Sequence, residues 1–190
     1  MEGEESHLTL FDTGPDSQSL VRNVKAMQVP IERIERVIIS HWHSDHSGGL
    51  LSFLSLRNAA VEASTNQCKA SACTVDVHPD RPIARGIAPP PTYDKVLCGL
   101  PPDPSFEAIE RLKGVVDKQR HGHAVAGGTV WVSGEIPRQT DSERGLFGGM
   151  RWVEEAGDGK WISDPVIFLP LFWCAIESFT CCTTPSANNG

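Results

Sequence analysis

Three histidines and a carboxylate fall within six positions, His41-x-His43-x-Asp45-His46. Imidazole nitrogens and carboxylate oxygens are ligands for zinc-class cations, and a catalytic metal takes about three of them plus an open position for water. In an extended loop His41 and His43 point to the same side, so one ion can take both. Asp45 and His46 are adjacent and reach a second ion beside the first. Two ions about 3.5–4 Å apart can together activate a water molecule. The plain alternative is a histidine-rich surface loop that binds nothing. The flanks favour the metal reading. Upstream, Val37, Ile38 and Ile39 are β-branched and read as a buried strand. Downstream, Gly48-Gly49 permits a sharp turn, and Leu50, Leu51, Phe53, Leu54 and Leu56 follow at near-helical spacing. The motif thus lies between a strand end and a helix start, a common place for sites in α/β layers.

The elements that must position this loop are readable on either side. His7 to Phe11 alternates weakly and runs into the turn Asp12-Thr13-Gly14-Pro15. Asp12 has two readings, a carboxylate that orients a metal ligand and an ordinary turn aspartate. Asp16 or Ser17 can cap a helix whose apolar face is Leu20, Val24 and Met27, stopped by Pro30. The helix from Leu50 to about Asn58 is apolar nearly all round, which implies burial between layers. It is far too short to span a bilayer. Residues 62–74 read as a polar loop, after which Val75 and Val77 alternate into His78-Pro79.

His78 at that strand end has a substrate-lining reading and a structural one. Arg81 and Arg85 follow it, and arginine forks suit carboxylate or phosphate groups; a solvated loop is the plainer account. Residues 88–104 hold six of the 14 prolines and read as an extended surface connection. Asp103 before Pro104 makes a cap, and Phe106, Ile109, Leu112 and Val116 give a helical stripe up to about Gln119. His121-Gly122-His123 offers either further ligands or a glycine-containing turn, and the turn is preferred. Thr129 to Ser133 reads as a strand, followed by Glu135 and Arg138.

A length of 190 residues fits one domain with a sizeable core. The hydrophobic content of 39 % and charged content of 22 % fit a soluble globular chain. A formal net charge of −7 argues against nucleic acid or an anionic membrane as the main partner. The acidic start Met1-Glu2-Gly3-Glu4-Glu5 is the reverse of a secretory leader, so a cytoplasmic location is expected. The six cysteines show no C-x-x-C pair, and reduced thiols are expected rather than a cysteine zinc site.

The motif at 41–46, with Phe11-Asp12-Thr13-Gly14 and the strand between them, resembles the metal-binding motif of the metallo-β-lactamase superfamily. Val77-His78-Pro79-Asp80 and Val132-Ser133-Gly134-Glu135-Ile136-Pro137-Arg138 resemble, more narrowly, its dihydropterin ribofuranosylaminobenzene phosphate synthase-like branch. The resemblance runs from about Leu8 to about Pro165. It implies an α/β (α+β) fold, part of an αββα sandwich, over residues 1–165, followed by an atypical tail over 166–190. It implies His41, His43, Asp45 and His46 as metal ligands, with Asp45 also catalytic and Asp12 orienting a ligand behind them. His78, Arg81, Arg85, Glu135 and Arg138 are the candidate substrate contacts. Glu135 and Arg138 lie near the substrate mouth in the family's pattern, though they can also simply pair with each other.

The family normally has an earlier strand and, later, a Ser/Cys-His-x-Gly turn with a further histidine after it. No histidine follows His123. The expectation is therefore a chain truncated at both ends. The implied function is a metal-dependent hydrolase-type enzyme that activates water at a one- or two-metal site. Its substrate would be a small phosphorylated or carbonyl-bearing molecule. Zinc is the favoured ion, and manganese or iron would accept the same ligands. Two alternatives stand beside it: transferase-like chemistry on a pterin and a ribosyl phosphate, and a catalytically incomplete, non-enzymatic fragment.

Overall fold

The computed structural model describes residues 6–64, 71–137, 139–140, 145–155, 157–164 and the backbone of 172–174. The first layer is a parallel sheet in which β1 (Leu8–Phe11) lies beside β2 (Ile34–Ile38). Between them α1 (Ser17–Ala26) crosses back, capped by Asp16, whose Oδ1 accepts from the Gln18 and Ser19 amides at 2.8 and 2.7 Å. A one-turn helix α2 (Ser44–Ser47) and the longer α3 (Leu50–Ala63) follow β2. The chain then returns to β3 (Cys73–Val77) on the far side of β2.

The side-chain alternation of β2 shows how the layers form. Val37, and Ile39 just beyond the strand, join a core with Val24, Leu50, Phe53, Leu54, Val75 and Ile109. Ile38 points the other way and packs on Val125, Val130 and Val132. One face of the sheet therefore carries α1, α3 and α4 (Phe106–Arg111), and the other meets a second sheet. The result is the mixed α/β layering expected from the sequence.

Two further strands precede α4: β4 (Ala84–Ile87) and the short β5 (Cys98–Gly99), which interrupts the proline-rich connection. After α4 the expected helix to Gln119 does not continue, and residues 114–118 form β6 (Gly114–Lys118), parallel to β3. Lys113 takes a left-handed φ of 59° and ends the helix. Gly114 then packs its backbone where a Cβ would stand 2.7 Å from Ile109 Cγ2. Val115 and Val116 are β-branched and extend more readily than they coil. The helical spacing of Leu112 and Val116 is coincidental.

The His121-Gly122-His123 turn is likewise replaced by a strand. β7 (His121–Val125) pairs antiparallel with β8 (Val130–Gly134). The reversal lies later, at Ala126, Gly127 and Gly128, all with positive φ. Gly122 is needed for packing: a Cβ there would stand 2.8 Å from the Trp131 ring. The cap of α4 is Ser105, whose Oγ accepts from the Ala108 amide, whereas Asp103 turns inward to Arg85.

The remaining strands β9 (Gly149–Glu155) and β10 (Asp158–Ser163) form a hairpin that joins β4 in the order β10-β9-β4-β5. Of the tail over 166–190, only the backbone of β11 (Phe172–Cys174) is described, and it adds antiparallel to β8. No helix of the described residues is long and apolar enough to cross a membrane.

Candidate metal centre

The loop from Ser40 to Gly49 leaves the end of β2 and is clasped by the turn after β1. The Asp12 amide donates to Ile38 O at 2.8 Å, and the Thr13 amide and hydroxyl both donate to His46 O, at 2.7 and 2.9 Å. Asp12 is held at φ 55°, a left-handed conformation that aspartate tolerates and that recurs at functional turns. Gly48 and Gly49 let the two turns touch, because a Cβ on either would overlap a carbonyl oxygen of Pro15 or Thr13. Ser44 to Ser47 coil into α2, so the second half of the motif is helical rather than extended.

Within this frame His41, His43 and Asp45 each present one ligand atom, all within 4.8 Å of one another. His46 lies beside them, its ring tilted 50° to that of His41 with the centroids 4.0 Å apart. The expected division into a His41/His43 pair and an Asp45/His46 pair is thus drawn differently, with Asp45 turned toward the first two histidines. Asp45 still faces His46, with 3.5 Å between Oδ2 and Nε2.

Behind these side chains lies a carboxylate-centred hydrogen-bond network. Asp12 Oδ2 receives His46 Nδ1 at 2.7 Å and Ser40 Oγ at 2.8 Å, while Oδ1 accepts the Ser40 amide at 2.7 Å. Ser40 Oγ in turn lies 3.0 Å from His41 Nδ1. With both Nδ1 atoms donating inward, the Nε2 lone pairs of His41 and His46 are left to face a cation. His41 is buried. That burial, reinforced by the neighbouring His46 and His43, pushes its pKa down to about 4, so it is neutral at ordinary pH, the form that ligates. Two imidazoles and a carboxylate at these separations fit a zinc-class cation.

The structure divides the other candidates between two places. A cleft of about 210 Å³ opens beside the cluster, lined by His43, Asp45, Arg85, Ile87, Met150 and Asp164. Arg85 reaches it, but its guanidinium is bound to the buried Asp103 carboxylate, with Nε–Oδ2 at 2.7 Å. Arg81 does not reach it and donates to the carbonyls of Pro82, Asp103 and Pro104. His78 and Glu135 meet elsewhere, His78 Nε2 lying 3.5 Å from Glu135 Oε2. His78 borders a small cavity between the sheets with Ser40, Asp76, Gln119 and His123. Burial, with the Arg120 charge second, lowers its pKa. Glu135 pairs with Arg120 at 2.7 Å, and Arg138 lies outside the described residues. His123 Nε2 lies 2.8 Å from the Asp76 carboxylate oxygen Oδ2 in this second cavity, outside the group of His41, His43 and Asp45.

Two residues escaped the sequence reading. Ser40 had a legible signal, since it sits between the last strand residue and the first ligand. Asp164 had none: it comes to within 3.5 Å of His43 Nε2 only because β10 ends over the motif.

A family model described as Metallo-beta-lactamase superfamily matches residues 2–136. No curated protein matches. Solved structures that resemble the chain include MEM-A1, a subclass B3 metallo-beta-lactamase isolated from a soil metagenome library, at 15 % identity and TM-score 0.40, covering 84 % of this chain and 52 % of that one. The SMB-1 metallo-beta-lactamase complexed with mercaptoacetic acid resembles it at 15 % identity and TM-score 0.35, over 84 % and 53 %. The Rm3 metallo-beta-lactamase does so at 17 % and 0.38, over 83 % and 54 %. The chain spans about half the length of each.

Proposed function

Because the chain belongs to the metallo-beta-lactamase superfamily, we propose that it acts as a metal-dependent, hydrolase-type enzyme on a small-molecule substrate. The observation that carries this reading is the convergence of His41, His43 and Asp45 donor atoms within 4.8 Å. Zinc suits two imidazoles and a carboxylate, and manganese or iron accept the same set. When bound, such a cation supplies Lewis acidity and makes a water acidic enough to attack near neutral pH. The chain's own residues do the rest. Asp12 and Ser40 hold the His46 and His41 rings in the ligating orientation. Asp45, whose side chain is 68 % exposed, links the cluster to the open cleft, where it can take a proton from attacking water. His46, facing Asp45, is the remaining donor for a second ion. We place the activity in the cytoplasm, a compartment that keeps free thiols such as those of Cys73 and Cys98 reduced.

A second reading, transferase-like chemistry on a pterin and a ribosyl phosphate, is favoured by one contact. The two segments that carry the narrower resemblance meet in space where His78 Nε2 faces Glu135 Oε2. Against its phosphate half stand Arg81 and Arg85, both already bound to other groups.

The test is metal content by elemental analysis after dialysis, paired with turnover on lactone and phosphoester panels and on pterin substrates. At least one retained equivalent, lost on His41→Ala, with hydrolysis of either panel supports the first reading. Pterin turnover without hydrolysis transfers support to the second. A chain that retains no ion and turns over nothing is a non-enzymatic domain, and both readings fail.

A further inference from the structure

We propose that Asp164 is a metal donor, a carboxylate brought to the His43 side of the cluster from beyond residue 136, where the family model's match ends. The inference rests on the metal reading above. Asp164 follows the last residue of β10, and its amide donates to Gly149 O at 2.8 Å, which fixes the turn over the motif. Its side chain is only 10 % exposed and borders the cleft with His43 and Asp45. A carboxylate so deeply buried needs a donor or a cation.

Among the described residues its one side-chain partner within ion-pair distance is His43, whose Nε2 lies 3.5 Å from Oδ2. That is long for a charge-assisted hydrogen bond, which runs about 2.7–2.9 Å. It is, however, the separation of two ligands on one ion: donors about 2.0–2.2 Å from a tetrahedral zinc stand roughly 3.3–3.6 Å apart. The other candidate for neutralising the charge is Arg85, which lines the same cleft, and its guanidinium is bound to Asp103.

Asp164 therefore faces a position where a cation on His43 would sit. It stands outside the group of His41, His43 and Asp45 donors that lie within 4.8 Å of one another, and reaches that group from the cleft side through His43. Two carboxylates balance the charge of a divalent ion, and the added oxygen widens acceptance from zinc toward manganese and iron. The family match ends at residue 136, so this donor belongs to the part of the chain the match does not cover.

The experiment titrates the full 190-residue chain with cobalt(II), comparing wild type with Asp164→Asn and following both affinity and the visible d–d absorption. Asn keeps the volume and a hydrogen-bonding oxygen while removing the anionic donor. The expected result is a loss of at least tenfold in affinity with a changed absorption envelope. Unchanged affinity and spectrum in the variant, against a wild type that binds, overturn the Asp164 assignment and leave the metal reading standing. A wild type that binds no cobalt overturns both. Should Asp164→Asn fail to fold, a zinc-soaked crystal of the wild type decides from its anomalous map. Asp164 Oδ within about 2.2 Å of the ion supports the assignment, and an ion without Asp164 in contact overturns it.

Discussion

Asp12 Oδ2 lies 2.7 Å from His46 Nδ1, joining the turn after the first strand to the last histidine of the motif. The same oxygen accepts Ser40 Oγ at 2.8 Å, so one carboxylate fixes the loop at both ends. Whether this carboxylate orients a metal ligand or only braces a turn is decided by metal affinity.

Asp12→Asn keeps the shape and removes the charge that favours Nδ1–H on His46. Loss of such a partner typically lowers metal affinity about 10–100-fold. Competition against a chromophoric chelator measures it. Wild-type affinity in the variant would reduce Asp12 to a turn residue.

The metal-free protein should lose stability as the pH falls from about 6.5 toward 4. Unfolded, His41 binds a proton below about 6.5; folded, burial and its histidine neighbours hold the pKa down to about 4. Between those values the unfolded state binds more protons, so stability rises with pH across the window and is lost on acidification. Melting temperatures of the chelated protein at pH 7 and pH 4.5 should therefore differ less in His41→Gln than in wild type. An equal difference in the two would assign the acid sensitivity to other groups.

Much of the candidate site was legible because it is local. The spacing of His41, His43, Asp45 and His46, the β-branched run before them and Gly48-Gly49 after them lie in one short stretch. Chain-neighbour sterics fix where such side chains point. Helices α1 and α3 were legible for the same reason. What failed depended on distant partners. Val116 has helical spacing with Ile109 and Leu112 but extends because β3 offers a parallel ladder. His121 and His123 flank a glycine yet lie in a strand because Trp131 packs over it. Asp103 reads as a cap and instead answers Arg85. No pattern within a few residues encodes those pairings.

Gly48→Ala should disturb the site without touching a ligand. A Cβ there would overlap the carbonyl oxygens of Pro15 and Ser44 and push the motif from the β1 turn. Overpacking of this kind costs about 1–3 kcal/mol. Urea melts should show a loss in that range together with weaker metal binding. A neutral effect on both would mean the loops separate freely.

Cys73 and Cys98 should react very differently with a thiol reagent. Cys73 is fully buried in the main core, and burial raises its pKa to about 11, leaving almost no thiolate near neutral pH. Cys98 is exposed on β5. Peptide mapping after brief alkylation should find Cys98 modified and Cys73 protected until the chain is unfolded. Early labelling of Cys73 would mean that β3 opens easily.

Ser40 gives the sharpest test of the hydrogen-bond network, because its hydroxyl serves three groups. It sits 2.8 Å from Asp12 Oδ2, 3.0 Å from His41 Nδ1 and 3.2 Å from His46 Nδ1. Only one of these contacts can use its single proton, and the carboxylate is the strongest acceptor. The hydroxyl oxygen then accepts from His41 Nδ1, which leaves His41 Nε2 as the ligating atom. Ser40→Ala removes that acceptor from a buried ring, a loss worth about 1–3 kcal/mol in the folded protein. It also frees His41 to rotate or change tautomer, so zinc affinity should fall as well. Ser40→Thr keeps the hydroxyl and should recover most of both. Nitrogen-15 shifts of the His41 ring read the tautomer directly, with Nδ1–H expected in wild type and lost in Ser40→Ala. A ring that keeps Nδ1–H without the hydroxyl would show that Ser40 packs beside the site without orienting it.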